Sequence, residues 1–240
     1  MEDYVVNLIV VSVISWATLF LVIRKLFPKR SYDFCTRIVS SVHASLAVVL
    51  ACRSVEDWSC PVCPLASRSS PKQMQALAVT LGYLIYDLVC CLFDKQVLML
   101  DNSIHHLVSI VGIGAGLAYQ RCGTEMVGAL WITEISSPFL HLREMLKEVG
   151  YRDTHLNLAA DLAFAVIFSM ARMIGGPYLT YVTLSAHNPL IIKAMALGLQ
   201  LVSTFWFYKI VRMVRYKLGR ITSSSSINNI AKPIHPHEIK

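Results

Sequence analysis

The chain carries one apolar run after another, each close to the length that crosses a lipid bilayer. A helical span needs about 20 mostly apolar residues, with a range of about 17–25. Residues 4–23, 38–52, 74–93, 104–119, 124–142, 157–174 and 189–208 meet or approach that length. In lipid, every backbone polar group must be satisfied internally, and a run this long does so as a helix. The expected fold class is therefore all-α, a polytopic membrane bundle of seven transmembrane helices. The runs at 38–52 and 104–119 are short. Pro138 interrupts the fifth run, and Gly175-Gly176-Pro177 is expected to stop the sixth.

Composition excludes the alternatives. Hydrophobic residues are 55% and charged residues 15%, against about 45–50% and about 25% in soluble domains. Mean hydropathy is +0.54. This argues against a soluble globule, a disordered chain or a nucleic-acid binder, despite a net charge of +7. Seven cysteines are too sparse for a disulfide scaffold. The first run follows acidic Glu2-Asp3 and precedes Arg24-Lys25, the reverse of a cleaved signal. It reads as an uncleaved anchor.

Lys and Arg distribution orients the spans. With the N-terminus outside, segments 24–37, 94–103, 143–156 and the tail from 209 face the cytosol and hold 16 Lys/Arg. The outward segments hold 4, all within 53–73 and 120–123. The expected topology is N-out and C-in. Residues 1–28 form an anchor helix with its basic flank, 29–213 a six-helix domain, and 214–240 a basic, then disordered, cytosolic tail.

Charged side chains in lipid cost about 2.5–3.5 kcal/mol at a helix centre, so they tend to face a bundle interior and mark function. The runs contain His43, Asp87, His105, His106, Glu134, His141, Asp161, Arg172 and Lys193. At about 1.5 Å per residue, the His pair lies within about 5 Å of the cytosolic end of its run. Asp161 lies about 6 Å in, His43 about 8 Å, Asp87 about 9 Å and Glu134 about 12 Å. These groups share the cytosolic half, whereas Arg172 and Lys193 are expected in the outer half. Asp161, Ala165, Phe168 and Arg172 form one helical stripe, and Glu134, Ser137 and His141 another. His105 and His106 are about 100° apart on a helix, so one can face a cavity while the other bonds a neighbour. A histidine with a carboxylate partner, Glu134 or Asp161, can act as general base or accept an acyl group.

The pair in Ile104-His105-His106-Leu107-Val108, and the segment from Trp131 to Leu140 containing Glu134-Ile135-Ser136-Ser137-Pro138-Phe139, resemble the TLC domain family, which includes the ceramide synthases. The resemblance implies a six-helix bundle over about 29–213. It also implies candidate catalytic residues His105, His106 and Glu134. A lipid cavity would carry His43, Asp87, Ser136, Ser137, His141 and Asp161. In the synthase branch the His pair and acidic residues of the next helix transfer an acyl group from acyl-CoA to a sphingoid amine. Of the three carboxylates in that branch's pattern this chain keeps one, Glu134. The others are replaced by Ser137 and His141.

Two functions follow. One is lipid homeostasis, by binding or regulating membrane lipids or acyl chains, including sphingolipid or phospholipid chains, in a cytosol-facing cavity. The other is acyl transfer, with acyl-CoA as co-substrate. No cofactor and no metal site are expected; Cys60-Pro-Val-Cys63 offers only two ligands. A disulfide between those two cysteines, or from one of them to Cys122, suits an oxidising lumen. Cys90-Cys91 reads as buried thiols or a palmitoylation site. Gly112, Gly114 and Gly116 read as close helix packing. The basic stretch from Lys209 to Arg220 suits anionic headgroups. The expected location is the endoplasmic reticulum or another endomembrane, with the plasma membrane as the alternative.

Overall fold

The computed structural model describes residues 3–93 and 100–230, with side chains placed for 3–91 and 103–216. Asp94, Lys95, the side chains of Lys217 and Arg220, and the residues after 230 lie outside this description. The helices are α1 (Asp3–Leu26), α2 (Tyr32–Ser54), α3 (Pro71–Phe93), α4 (Leu100–Tyr119), α5 (Gly123–Glu134) and α6 (Ser137–Glu148). Then come α7 (His155–Phe168), a π-helical segment (Ser169–Gly175), α8 (Gly176–Ser185) and α9 (Leu190–Ile230). Among the described residues there is no strand, only an isolated bridge between Arg68 and Arg121. Among the described residues, five helical stretches are long and apolar enough to cross a membrane, and residues 103–119 form a shorter apolar helix.

Four boundaries differ from the sequence expectation, each for a local reason. α2 starts at Tyr32, not at residue 38, and so reaches full spanning length. Ser31 caps it, its hydroxyl accepting the Phe34 N–H at 2.9 Å, and Asp33 pairs with Arg37 one turn on at 2.6 Å. The fifth run breaks into α5 and α6 at Ile135-Ser136, because Pro138 in the first turn of α6 cannot donate back to α5. The sixth run does not stop at Gly175-Gly176-Pro177. A π turn absorbs the irregularity, Pro177 sits in the first turn of α8, and one apolar rod continues from His155 to Ser185. α9 extends to Ile230, so the helix enters the stretch assigned above to a disordered tail.

α1 lies on α3 and α2 at the edge of the bundle. Its Ser12 hydroxyl donates to the Val79 carbonyl at 2.9 Å, and Gly82 of α3 leaves no room for a side chain against Ser12. α3, α4, α5, α8 and α9 enclose the centre, with α2 and α6–α7 completing the wall. In α4, Gly112 abuts Met195 of α9 and Gly116 abuts Met126 of α5. These two glycines permit close approach, as their spacing suggested; Gly114 faces open space.

One end of the bundle is closed by loop 55–70, which holds a Cys60–Cys63 disulfide. Ser69 N–H donates to the Gln120 carbonyl at 2.9 Å and Cys122 N–H to the Ser67 carbonyl at 2.8 Å. Buried Glu125 at the start of α5 accepts from Ala66 N–H at 2.6 Å and from Asn188 Nδ2 at 3.0 Å. Cys122 is not in a disulfide; its thiol meets Asn188 Oδ1 at 2.8 Å. Burial and the Glu125 charge push this thiol up to about 11, so it is held as SH. Lys193 donates to the Leu184 carbonyl at 2.6 Å, covering the C-terminal end of α8.

Candidate functional site

A cavity of about 110 Å³ runs between α3, α4, α5, α8 and α9. A single water needs only about 10–15 Å³ on this measure, so the space suits a larger guest. Its walls are mostly apolar, with Leu84, Leu130, Leu179, Ile192, Met195 and Leu199 among them. His105, Glu134 and Arg172 lie together along it, while Glu125 and Thr183 mark its other reach, toward the disulfide-bearing loop.

The placement of Arg172 follows from the two irregular helices. At the α5–α6 break, the Thr133 carbonyl accepts from Arg172 Nη2 at 2.6 Å and from the Ser137 hydroxyl at 3.3 Å. The π segment places Arg172 opposite this break, and its own carbonyl accepts from Gln200 Nε2 at 3.3 Å. The Gln200 amide packs into the space beside Gly176, where a side chain would have to displace it. The guanidinium lies 4.9 Å from the Phe168 ring centre and 5.6 Å from that of Trp206. Nη1 is 3.5 Å from the Ser203 hydroxyl, and Nε has no hydrogen-bond partner. Glu134 lies near enough for its charge to act on Arg172. His105 is buried, 4.9 Å from Trp206 ring to ring, with Nδ1 unpartnered.

Arg172 therefore belongs beside His105 and Glu134, not in a separate outer layer. Its expected depth was counted from a span ending at residue 174, but the helical rod runs on to Ser185. The aromatic partner Trp206 and the polar wall residues Gln200 and Ser203 carried no signal of their own in an apolar run.

The His pair divides as its helical angle requires. His105 faces the cavity, whereas His106 turns toward α3, its Nε2 3.3 Å from Asp87 Oδ2. His43 is outside the cavity lining. It stacks on Tyr83 at 3.6 Å between centroids and meets Trp16 edge-on at 5.5 Å. His141 is close to His43, on the same side of the bundle as His106. Asp161 is also outside the lining; it pairs with Arg143 Nε at 3.0 Å and receives Asn157 Nδ2 at 3.3 Å. Arg143 and Lys147 also hold Glu144, at 3.0 and 2.7 Å. Burial alone would raise the Glu144 carboxyl, but the Lys147 hydrogen bond and the Arg143, Lys147 and Arg37 charges hold it below its ordinary value. The Ser137 hydroxyl donates to the Thr133 carbonyl and lies close to Glu134, and Ser136 is buried in the helix break. The structure thus joins His105, Glu134 and Arg172 around one cavity. Asp87 and His106 pair between α3 and α4 outside the cavity lining, His43 of α2 stacks on Tyr83 of α3, His141 lies on α6, and Asp161 belongs to the α6–α7 contact.

Residues 33–212 match the sequence profile of the TLC domain. The chain belongs to the TLC domain family. TLC domain-containing protein 4-B of Danio rerio is 28% identical over 203 residues, covering 78% of this chain and 76% of that protein. The TLC domain-containing protein L438 of Acanthamoeba polyphaga mimivirus is 27% identical over 154 residues, covering 58% and 76% respectively. TLC domain-containing protein 4 C of Dictyostelium discoideum is 26% identical over 159 residues, covering 65% and 58%. The matched TLC region takes in α2 through most of α9 and leaves α1 outside, so the cavity lies wholly within the TLC domain. Proteins of the TLC family are membrane proteins linked to lipid metabolism.

Proposed function

We propose that this TLC domain protein binds a membrane lipid by one acyl chain in the cavity and so acts in membrane lipid homeostasis. The observation that carries this reading is the cavity's make-up: a mostly apolar wall interrupted by polar groups, among them the ionisable trio His105, Glu134 and Arg172. An acyl chain fits the former, and a hydroxyl, ester or amide head fits the latter. Arg172 and Glu134 offset each other's charge, which favours an uncharged head over a free carboxylate. The cytosol is the side from which we place the head's entry, with N-out, C-in topology and residence in the endoplasmic reticulum or another endomembrane. Basic residues of α9 such as Lys209, Arg212 and Arg215 then lie where anionic headgroups attract them.

Lipids that co-purify with the chain in mild detergent, identified by mass spectrometry, test this reading. A single-chain or two-chain lipid at close to one per protein is expected for wild type. Ala129→Trp, which fills the tunnel, should lose it while the protein stays monodisperse. Equal lipid content in both proteins rejects the reading.

A second reading, acyl transfer from acyl-CoA, rests on one observation. His105 presents an unpartnered Nδ1 in a buried site beside Glu134 and Arg172, as a histidine that takes a proton or an acyl group would. Lipidomics on cells lacking the protein separates the two. Rescue by His105→Ala equal to wild type supports binding alone; loss of rescue with retained lipid binding supports transfer.

A further inference from the structure

A second cluster of reactive side chains lies between α3 and α4, outside the lipid cavity. Asp87 and Cys91 are four residues apart on α3 and so share one face of that helix. His106 reaches them from α4. One carboxylate oxygen of Asp87, the Cys91 sulfur and one imidazole nitrogen of His106 all lie within 4.8 Å of one another. All three residues are half-buried.

The distance between His106 Nε2 and Asp87 Oδ2 is 3.3 Å. A charge-assisted hydrogen bond between such groups closes to about 2.7–2.9 Å. Two ligands of one tetrahedral zinc ion, with bonds of about 2.0–2.2 Å, stand about 3.3–3.5 Å apart. The Asp87–His106 separation matches an edge of a coordination tetrahedron, and the Cys91 sulfur, within 4.8 Å of both ligand atoms, reaches the third corner by side-chain rotation. The donor set narrows the ion. Calcium and magnesium select oxygen ligands alone. A mixed nitrogen, sulfur and oxygen set suits zinc or a neighbouring transition metal. Charge agrees as well: a carboxylate and a thiolate cancel a dication, leaving a neutral centre in a helix pair where uncompensated charge is costly. The Tyr83 hydroxyl, one turn before Asp87, hydrogen-bonds its carboxylate and can fix its orientation as an outer-shell partner.

We propose that Asp87, Cys91 and His106 form a binding site for a divalent transition-metal ion of the zinc class, stapling α3 to α4. Three protein ligands leave one of four tetrahedral positions for water or another ligand. Sequence spacing conceals this site, because only the α3 half has a local pattern and the third ligand comes from the next helix.

The test uses the full-length protein without an affinity tag, in detergent, stripped by chelator and titrated with Co²⁺. One Co²⁺ per chain, a near-ultraviolet thiolate-to-cobalt charge-transfer band and displacement by Zn²⁺ are expected. Zn²⁺ should also raise the melting temperature. Cys91→Ser, a near-isosteric change, should remove the band and the thermal shift, while Cys52→Ser on α2 keeps both. Asp87→Asn and His106→Ala should weaken Zn²⁺ binding by about tenfold or more, comparable to or larger than outer-shell effects. Absence of the band in wild type, or its survival in Cys91→Ser, overturns the proposal.

Discussion

Arg172 is held from several sides at once. It is buried, bound to the Thr133 carbonyl, flanked by two aromatic rings and electrostatically coupled to Glu134. Removing one member of a buried charge pair costs about 3–5 kcal/mol, because the other charge is left uncompensated. Arg172→Met should therefore destabilise the protein by about that amount. Adding Glu134→Gln should recover a large part of the loss, and thermal unfolding in detergent measures both. The same reasoning applies more weakly to Asp161, whose replacement by Ala leaves Arg143 with Glu144 as its remaining carboxylate partner; a smaller melting shift of the same sign is expected, without loss of bound lipid. Much at this scale was legible. The stripe of Asp161, Ala165, Phe168 and Arg172 is buried throughout, and the His pair splits between cavity and α3 as a 100° helical step dictates. The role of Arg172 was not, since depth was measured from a helix end that the chain passes over.

Helices declare themselves in this sequence through length and apolarity, but their irregular turns do not. Ser31 and Thr154 cap α2 and α7, each accepting an N–H three residues on, and they lie outside the apolar runs, so run length alone starts these helices too late. Pro138 announces its break. Gly175-Gly176-Pro177 reads as a stop, yet the chain converts it into a π turn followed by α8. The reason is tertiary: Gln200 takes the Arg172 carbonyl and occupies the space that Gly176 vacates. Propensity sees only the chain itself and misses that partner. The π segment contains one residue more than the same advance in an α-helix needs. Deleting exposed Met170 should therefore restore α geometry and rotate Arg172 by about 100° against Thr133. Such a variant is expected to remain helical by circular dichroism and to lose the co-purifying lipid. Retention of lipid would show that the π turn does not set the cavity.

Over the whole molecule, run lengths suggest an edge helix beside a separate bundle; α1 lies outside the cavity-forming helices and outside the matched TLC region. Orientation rests on charge, 16 Lys/Arg on one set of loops against 4 on the other. The disulfide adds a chemical argument. Cys60–Cys63 lies in loop 55–70, on the face poor in positive charge, and disulfides persist in oxidising compartments rather than the cytosol. An N-out topology would place this disulfide on the oxidising side, so the proposed orientation makes one charge argument and one redox argument that the same experiment tests. The natural sequence has no N-x-S/T acceptor, so single substitutions can report each face without background. Asp57→Asn completes an acceptor with Trp58 and Ser59 in the disulfide loop; Arg152→Asn completes one with Asp153 and Thr154 between α6 and α7. Both positions are exposed. With the N-terminus outside, the Asp57→Asn protein should gain a glycan, seen as a slower gel band that collapses on glycosidase treatment, and the Arg152→Asn protein should not. Glycosylation of Arg152→Asn alone would invert the topology, moving the His105 end of the cavity away from the cytosol and removing acyl-CoA as a direct donor.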